Sequence, residues 1–279
     1  MSEQAIFSPG KAVAPLIDWL NINCHGFFEV LSWLMDGALS AISQPILLIP
    51  PLLFIGLIGI LSFFVAGIRV AVLALICLGT CYVFDLWQAT VQTTALVVVA
   101  VFVSMVIGLP FGIALSRRVS WDPFVRPILD IMQTLPPWVY LVPAVMILGL
   151  GRVPALLATI IYGIPPVVRL TVLGMRQIQK ERIELGRALG ASDWLILRKI
   201  ELPSAAPTLF LALNQCILLS LSLVVLAGLV GAGGLGSEVT RGLSRMDMGL
   251  GMRAGLAIVM LALVMDRITR GAARRAGPG

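Results

Sequence analysis

Glu184-Leu-Gly-Arg187-Ala-Leu-Gly190-Ala-Ser-Asp-Trp194-Leu-Ile-Leu-Arg-Lys-Ile200-Glu-Leu202-Pro203 lies within the one long charged stretch, residues 173–206, of an otherwise strongly apolar chain. Of the 279 residues 59% are apolar and 12% charged. A soluble domain runs near half apolar and about a quarter charged. A soluble fold of this composition would have no polar face to turn to water, so the excess apolar side chains must face lipid. The fold class is therefore all-α, a polytopic transmembrane helical bundle, and the charged stretch is a loop outside the bilayer.

Working outward, seven apolar runs approach the ~20 residues that a helical span needs: 46–67, 70–84, 90–115, 128–150, 153–170, 208–230 and 249–265. The second and fifth are short. Lys and Arg gather on the cytoplasmic side of membrane proteins. With the C-terminus inside, 15 of the 20 Lys and Arg fall on the inner side: Arg69, Arg117, Arg118, Arg126, the seven from Arg169 to Lys199, and Arg267, Arg270, Arg274 and Arg275. Lys11, Arg152, Arg241, Arg245 and Arg253 remain outside or near the outer face. The N-terminus is thus expected outside, with the charged loop and the C-terminus in the cytoplasm.

The net charge of +6 does not point to nucleic acid, because the basic residues fall between apolar runs rather than on one solvated face. Cys24, Cys77, Cys81 and Cys216 show no metal-ligand spacing, and His25 is the single histidine, so no metal site is expected. Cys77 and Cys81, four apart, read as small packing residues on one helix face. Residues 1–11 hold no apolar core followed by a small-residue cleavage site, so no cleavable signal peptide is expected.

Residues 1–44 read as an N-terminal segment and 45–279 as the transmembrane domain. In that segment Trp19, Phe27, Phe28, Leu31 and Leu34 recur at helical spacing among Asp18, Asn21, Asn23, His25, Glu29 and Asp36. The pattern suits an amphipathic helix lying in the outer interface; the other reading, an eighth span, would reverse only the N-terminus. Prolines gather in the fourth run (Pro136, Pro137, Pro143) and the fifth (Pro165, Pro166). Each removes a backbone donor and bends or breaks its helix. Breaks at membrane depth are tolerated where protein or a wet cavity surrounds them, so these runs point either to a pathway or to simple kinks.

Within the charged loop, Arg176 to Leu189 reads as a helix, with Lys180 and Glu184 four apart and Glu184 and Arg187 three apart. Gly190 suits the left-handed position that ends it. Ser192 or Asp193 can cap a second short helix, which Pro203 helps to stop. The product is two helices hinged at a glycine, with Leu189, Ala191, Trp194 and Leu195 near the bend. Small and apolar residues on an exposed elbow suit a docking knob for a partner.

This run resembles the EAA loop of bacterial ABC importer permeases: Glu-Ala-Ala, three residues, Gly, nine residues, Ile, one residue, Leu-Pro. Glu184, Gly190, Ile200, Leu202 and Pro203 stand at the family's spacing, while Leu185 and Gly186 replace its usual alanines. The resemblance implies a type I ABC importer permease of the bacterial inner membrane, with five core spans and two preceding ones. It implies that the loop is the coupling helix, seated in a groove on a cytoplasmic ATPase. Arg187, Ala188, Leu189, Gly190, Ala191, Ser192, Asp193 and Trp194 would then transmit ATP-driven closure. The chain has no Gly-x-x-x-x-Gly-Lys-Ser/Thr loop, so no cofactor is expected here and ATP is expected in the partner. The implied unit is two permease copies, as a homodimer, with two ATPase subunits and a periplasmic substrate-binding protein at the outer mouth.

Gly231-Ala-Gly233-Gly234-Leu-Gly236 satisfies the dinucleotide pattern Gly-x-Gly-x-x-Gly. That pattern needs a strand before it and a helix after it within a βαβ unit. Here it ends an apolar run on the outer side, so close packing or a hinge at the external mouth is expected. With Leu135-Pro-Pro-Trp-Val-Tyr-Leu-Val-Pro143 and Gly163-Ile-Pro-Pro-Val-Val-Arg-Leu-Thr171, it is similar to the glycine betaine/proline betaine permeases. The similarity runs over nearly the whole chain, and choline and carnitine importers share the pattern.

A quaternary ammonium has no hydrogen bond to donate, so aromatic faces are its natural partners. Trp138, Tyr140 and Tyr162 are the pathway candidates, with ordinary packing or interfacial anchoring as the other reading. Asp130 and Arg253 sit near span ends, where snorkelling accounts for both. A secondary transporter would need ion-coupling residues at mid-membrane and no ATPase-docking loop. An intramembrane enzyme would need a buried His/Glu metal motif or a Ser/His or Asp pair. The sequence carries the loop and neither of those sets.

Overall fold

The computed structural model describes Pro15, Trp19 and residues 22–276; the expectations on residues 1–11, Asp18 and Asn21 lie outside these. Among the described residues the regular elements are all helical: α1 His25–Leu48, α2 Pro51–Ala66, α3 Ile68–Val83, α4 Trp87–Arg117, α5 Asp122–Thr134, α6 Trp138–Leu148, α7 Arg152–Arg176, α8 Lys180–Ala188, α9 Asp193–Ile196, α10 Leu202–Leu229, α11 Gly234–Ser244 and α12 Met248–Ala276.

The apolar runs are mainly helical, with breaks at residues 49–50 in the first and 135–137 in the fourth, and they are not seven equal spans. Five stretches are long and apolar enough to cross a membrane (α1, α4, α7, the continuous Asp193–Leu229, and α12), and the bent pair α5–α6 is a sixth when the pair is counted as one broken span. α2 and α3 have 16 residues each, a rise of about 24 Å against a hydrocarbon core of about 30 Å. α1 is the addition: it meets the length and hydropathy of a span despite its polar interruptions.

The two proline clusters behave differently. α5 and α6 meet at 88° across Leu135-Pro136-Pro137. Pro136 has no N–H to give the Met132 carbonyl one turn back, and the Tyr140 hydroxyl donates to that carbonyl instead. α7, in contrast, runs unbroken through Pro165 and Pro166. Both prolines are buried there, on a helix that α4 grips closely. A Cβ on Gly108 would stand 2.6 Å from Val167 Cγ1, and one on Gly112 would stand 2.6 Å from Thr171 Cβ. Small residues let helices approach in this way where lipid supplies no hydrophobic drive between them. The packing holds what the missing hydrogen bonds do not.

Contacts sort the helix termini into two ends. At one, Arg117 Nη2 donates to Glu201 Oε2 at 3.0 Å, and Arg176 grips Asp122 through both terminal nitrogens at 2.5 and 3.0 Å. The C-terminal turn of α12 also lies here, with Gly271 against Ala66. At the other, Gly151 N–H donates to Val230 O at 2.9 Å, and the Arg152 guanidinium pairs with Asp36 and donates to Ser40 at 2.9 Å. Between the ends, buried Asn214 donates to Asp266 at 2.8 Å and accepts from Thr269 at 3.1 Å, tying α10 to α12.

Candidate functional site

The charged loop forms an elbow at the Arg117–Glu201 end. The expected single helix from Arg176 to Leu189 is two pieces, because Gln179 takes an extended conformation and α8 starts afresh at Lys180. Ala188 closes α8 and Gly190 follows with φ +75°. Gly190 N–H donates to Arg187 O at 2.9 Å and Ala191 N–H to Gly186 O at 3.0 Å. These two bonds are the Schellman arrangement that ends a helix on a left-handed glycine. Of the two capping candidates Ser192 is the cap, its Oγ accepting from Leu195 N–H at 3.4 Å. Asp193 begins the helix, where its charge favours the N-terminal dipole.

Pro203 does not stop the second helix. The chain passes from α9 through a π turn, Leu197–Glu201, directly into α10, and Pro203 sits in the first turn of α10. The helix is continuous there, and the wider π turn just ahead of Pro203 is where the ladder accommodates the missing proline N–H. The elbow presents Leu189 at 78% and Trp194 at 67% exposure, with Arg187 3.9 Å from Asp193 across the bend. Gly186, where the EAA pattern has alanine, lies under the π turn: a Cβ there would stand 2.8 Å from Ile200 Cδ1 and 3.3 Å from Ile196 Cγ1. The missing side chain at Gly186 lets Ile196 and Ile200 close over it. Leu202 is half-buried at the start of α10, and Glu184 faces solvent.

At the opposite end the glycine run packs a short helix. Gly231, Gly233 and Gly234 have φ of +79°, +78° and +68°, and α11 folds back on α10. A Cβ on Gly236 would stand 1.9 Å from Val224 O, so only glycine fits. Gly234 N–H donates to Gln92 Oε1 and Leu235 N–H to Thr93 Oγ1, both at 2.8 Å. Two α4 side chains therefore satisfy the first turn of α11. Sequence reading missed them; the signal was a pair of polar residues at the head of a long apolar run. It also missed the Asp36–Arg152 pair. An open cavity of about 520 Å³ lies beside α11, lined by Asp85, Gln92, Glu238, Arg241, Arg245 and Arg253 among others.

Of the three aromatic pathway candidates, two come together. The Tyr140 and Tyr162 ring centroids are 5.9 Å apart at 51°, beside the break between α5 and α6. Trp138 stands in the first turn of α6 and makes no ring contact with them. Cys77 and Cys81 are both buried on one face of α3. Among the described residues no group of three or more His, Cys, Asp or Glu is placed to hold a metal ion.

The profile of the family described as binding-protein-dependent transport system inner membrane component matches residues 104–277, well over half of the chain. The chain belongs to this family. The permease is 39% identical to the glycine betaine/proline betaine transport system permease protein ProW of Escherichia coli (strain K12), over 92% of its own length and 73% of that protein's. It is 36% identical to the glycine betaine/carnitine transport permease protein GbuB of Listeria monocytogenes serotype 1/2a (strain 10403S), over 94% and 96% respectively. In structure it is similar to a chain of the MetNI methionine ABC transporter in an inward-facing conformation. The TM-score is 0.58 at 25% identity, covering 67% of the permease and 93% of that chain. The permease is therefore the inner-membrane component of an ABC importer, working with a substrate-binding protein and with a separate subunit that hydrolyses ATP.

Proposed function

We propose that this permease carries glycine betaine, proline betaine or a related quaternary ammonium compound such as choline or carnitine into the cell. The observation that carries the coupling half of this reading is the elbow: a Schellman turn at Gly190 holds Leu189 and Trp194 out of the bundle into solvent. Two large apolar side chains on a rigid polar elbow suit a pocket on another protein. The elbow docks in the ATPase, with Glu184, Arg187, Ala188, Ala191, Ser192 and Asp193 around the knob and Ile200, Leu202 and Pro203 joining it to α10. Closure of two ATPase subunits then moves α7 and α10 together. The unit holds two copies of the permease, as a homodimer, and ATP resides in the ATPase rather than in this chain.

The elbow end faces the cytoplasm, since 15 of the 20 Lys and Arg fall on that side. The N-terminus is outside and α1 lies at the outer interface ahead of the transmembrane domain; the expected boundary between 1–44 and 45–279 falls inside α1, which runs on to Leu48. Asp36, midway along α1, meets Arg152 at the head of α7, which suits a helix lying across the mouth. The quaternary ammonium passes the Tyr140–Tyr162 pair, with Trp138 nearby on α6, where aromatic faces replace hydration of the cation. Gly231, Gly233, Gly234 and Gly236 shape the external mouth.

The ligand half rests on the similarity to ProW and GbuB along more than nine-tenths of the chain. The permease should be reconstituted in liposomes with its ATPase and binding protein, and ATP-driven uptake of labelled glycine betaine followed. Carnitine, choline and proline betaine should compete, and ordinary amino acids should not. Strong competition by methionine or taurine with none from betaines would assign another substrate class.

A further inference from the structure

We propose that α5 is a moving wall at the inner end of the pathway, carried by α7 as one body, and that Arg176 is the positioning residue through which the elbow moves it. The inference rests on the roles proposed above for the elbow and for the tyrosine pair. α5 has little to hold it in place. It packs chiefly on the inner half of α7, where Leu115, Leu129 and Val168 form one buried cluster. Its other face leaves Phe124, Ile128 and Ile131 exposed. Two ion pairs supply the rest. Asp122 accepts from Nη1 and Nη2 of Arg176 at 2.5 and 3.0 Å, and Arg126 Nη2 stands 2.9 Å from the same carboxylate. About two turns further along α5, Asp130 pairs with Arg169, which lies about as far back on α7. One pair would act as a pivot, whereas two at this spacing block both rotation and sliding. Asp122 is only 8% exposed, so parting α5 from α7 would strand a buried carboxylate without its counter-charge. The pairs therefore hold while the helices move.

Arg176 stands where the force enters. It is the last residue of α7, and only Gln177, Ile178 and Gln179 separate it from α8 of the elbow. Its Nη2 also donates to Leu115 O of α4 at 3.3 Å, so the ends of α4 and α7 and the first residue of α5 meet on one guanidinium. The far end of α5 is a joint. Pro136 and Pro137 lack the N–H groups that would continue the helix, and the Tyr140 hydroxyl donates back across the break to Met132 O. A displacement of α5 therefore pulls on Tyr140, whose ring centroid is 5.9 Å from that of Tyr162. Coupling between distant sites travels through such chains of ion pairs and rigid elements. Here the chain runs from the elbow through Arg176 and Asp122 along α5 to the aromatic pair.

The test uses the complete complex of permease, ATPase and binding protein in vesicles, and reads glycine betaine taken up per ATP hydrolysed. Asp122→Asn/Asp130→Asn keeps the shape of both side chains and removes their charge. Hydrolysis stimulated by the binding protein should persist, because the elbow still docks, while uptake per ATP falls on the order of tenfold, the scale of coupling carried by such networks. A covalent link should replace the lost pairs. In a Cys24→Ser background, Asp122→Asn/Asp130→Cys/Arg169→Cys should show the same low ratio until a short bis-methanethiosulfonate joins the two new cysteines, and should then regain the wild-type ratio. An unchanged ratio in Asp122→Asn/Asp130→Asn would overturn the inference and leave the importer intact. Loss of stimulated hydrolysis together with uptake would make the pairs merely structural and also overturn it. Uptake abolished rather than restored by the link would mean that α5 parts from α7 in each cycle, which overturns the single moving body. A wild-type complex that takes up no glycine betaine would overturn the proposed function, and this inference with it.

Discussion

At Gly190 the backbone turns through φ +75°, and a Cβ there would meet nothing within 4 Å. A side chain is therefore opposed by conformation alone, about 1 kcal/mol and more for a β-branched residue. That is enough to unseat the elbow and too little to unfold the bundle. Gly190→Val should keep normal membrane levels by immunoblot while co-purifying ATPase and ATP-driven uptake are both lost; uptake near the wild-type rate would dismiss the elbow as the coupling element. Asp266 makes the opposite case. It is buried and accepts from Asn214 and Arg270, each at 2.8 Å, so Asp266→Ala leaves the Asn214 amide short of a partner. The loss should be about 1–3 kcal/mol, seen as a lower thermal midpoint in detergent, with the elbow untouched. Gly190, and a second cap at Ser192 or Asp193, were legible in the sequence because helix caps are local chemistry; the structure chooses Ser192. The Asn214–Asp266 pair was not, since it joins residues 52 apart on separate helices.

Elements show the same division. Lipid demands self-satisfied backbones, so the apolar runs had to be mainly helical, and hydropathy placed them, although it merged the end of α1 with α2 and the arms α5 and α6, and gave no run for α11. What single runs could not reveal is where a neighbour mends a break. Pro136 breaks the α5–α6 unit although Tyr140 takes up the orphaned carbonyl, whereas Pro165 and Pro166 leave α7 continuous under the grip of α4. Likewise Pro203 looked like a stop, but the π turn ahead of it carries the chain into α10. The glycine run was readable as close packing, yet not its partner: α11 presses on α10 so tightly that a Cβ on Gly236 would stand 1.9 Å from Val224 O. Gly236→Ala should therefore cost roughly 1–3 kcal/mol by overpacking and lower the thermal midpoint. Gly251→Ala, with nothing within 4 Å of its Cβ, should leave it within a degree or two. Equal midpoints for the two variants would mean that α11 is not held against α10.

For the whole molecule the orientation rests on charge bias, and the contacts make that bias testable at three places. Ser192 is exposed on the elbow, and Ser237 lines the cavity beside α11 at the opposite end. Cys24 is a native reporter at the head of α1, while Cys77, Cys81 and Cys216 are buried. Ser192→Cys should react with an impermeant maleimide only in inside-out vesicles, and Ser237→Cys only in right-side-out ones. Cys24 separates the two readings of α1. Were α1 a span, its 24 residues would rise about 36 Å and carry Cys24 to the cytoplasmic side. Asp36 lies halfway along α1 and is held by Arg152 at the head of α7, and Ser43, a turn or two further on, shares a small cavity with Gln92 near the head of α4. Both contacts belong to the mouth end, so α1 stays at that level for at least half its length. Cys24 should therefore label from outside, together with Ser237→Cys. Labelling of Cys24 from the cytoplasmic side would make α1 a true span and detach the N-terminus from the mouth. Labelling of Ser192→Cys and Ser237→Cys from one side would defeat the orientation of the elbow, and with it the docking in the ATPase.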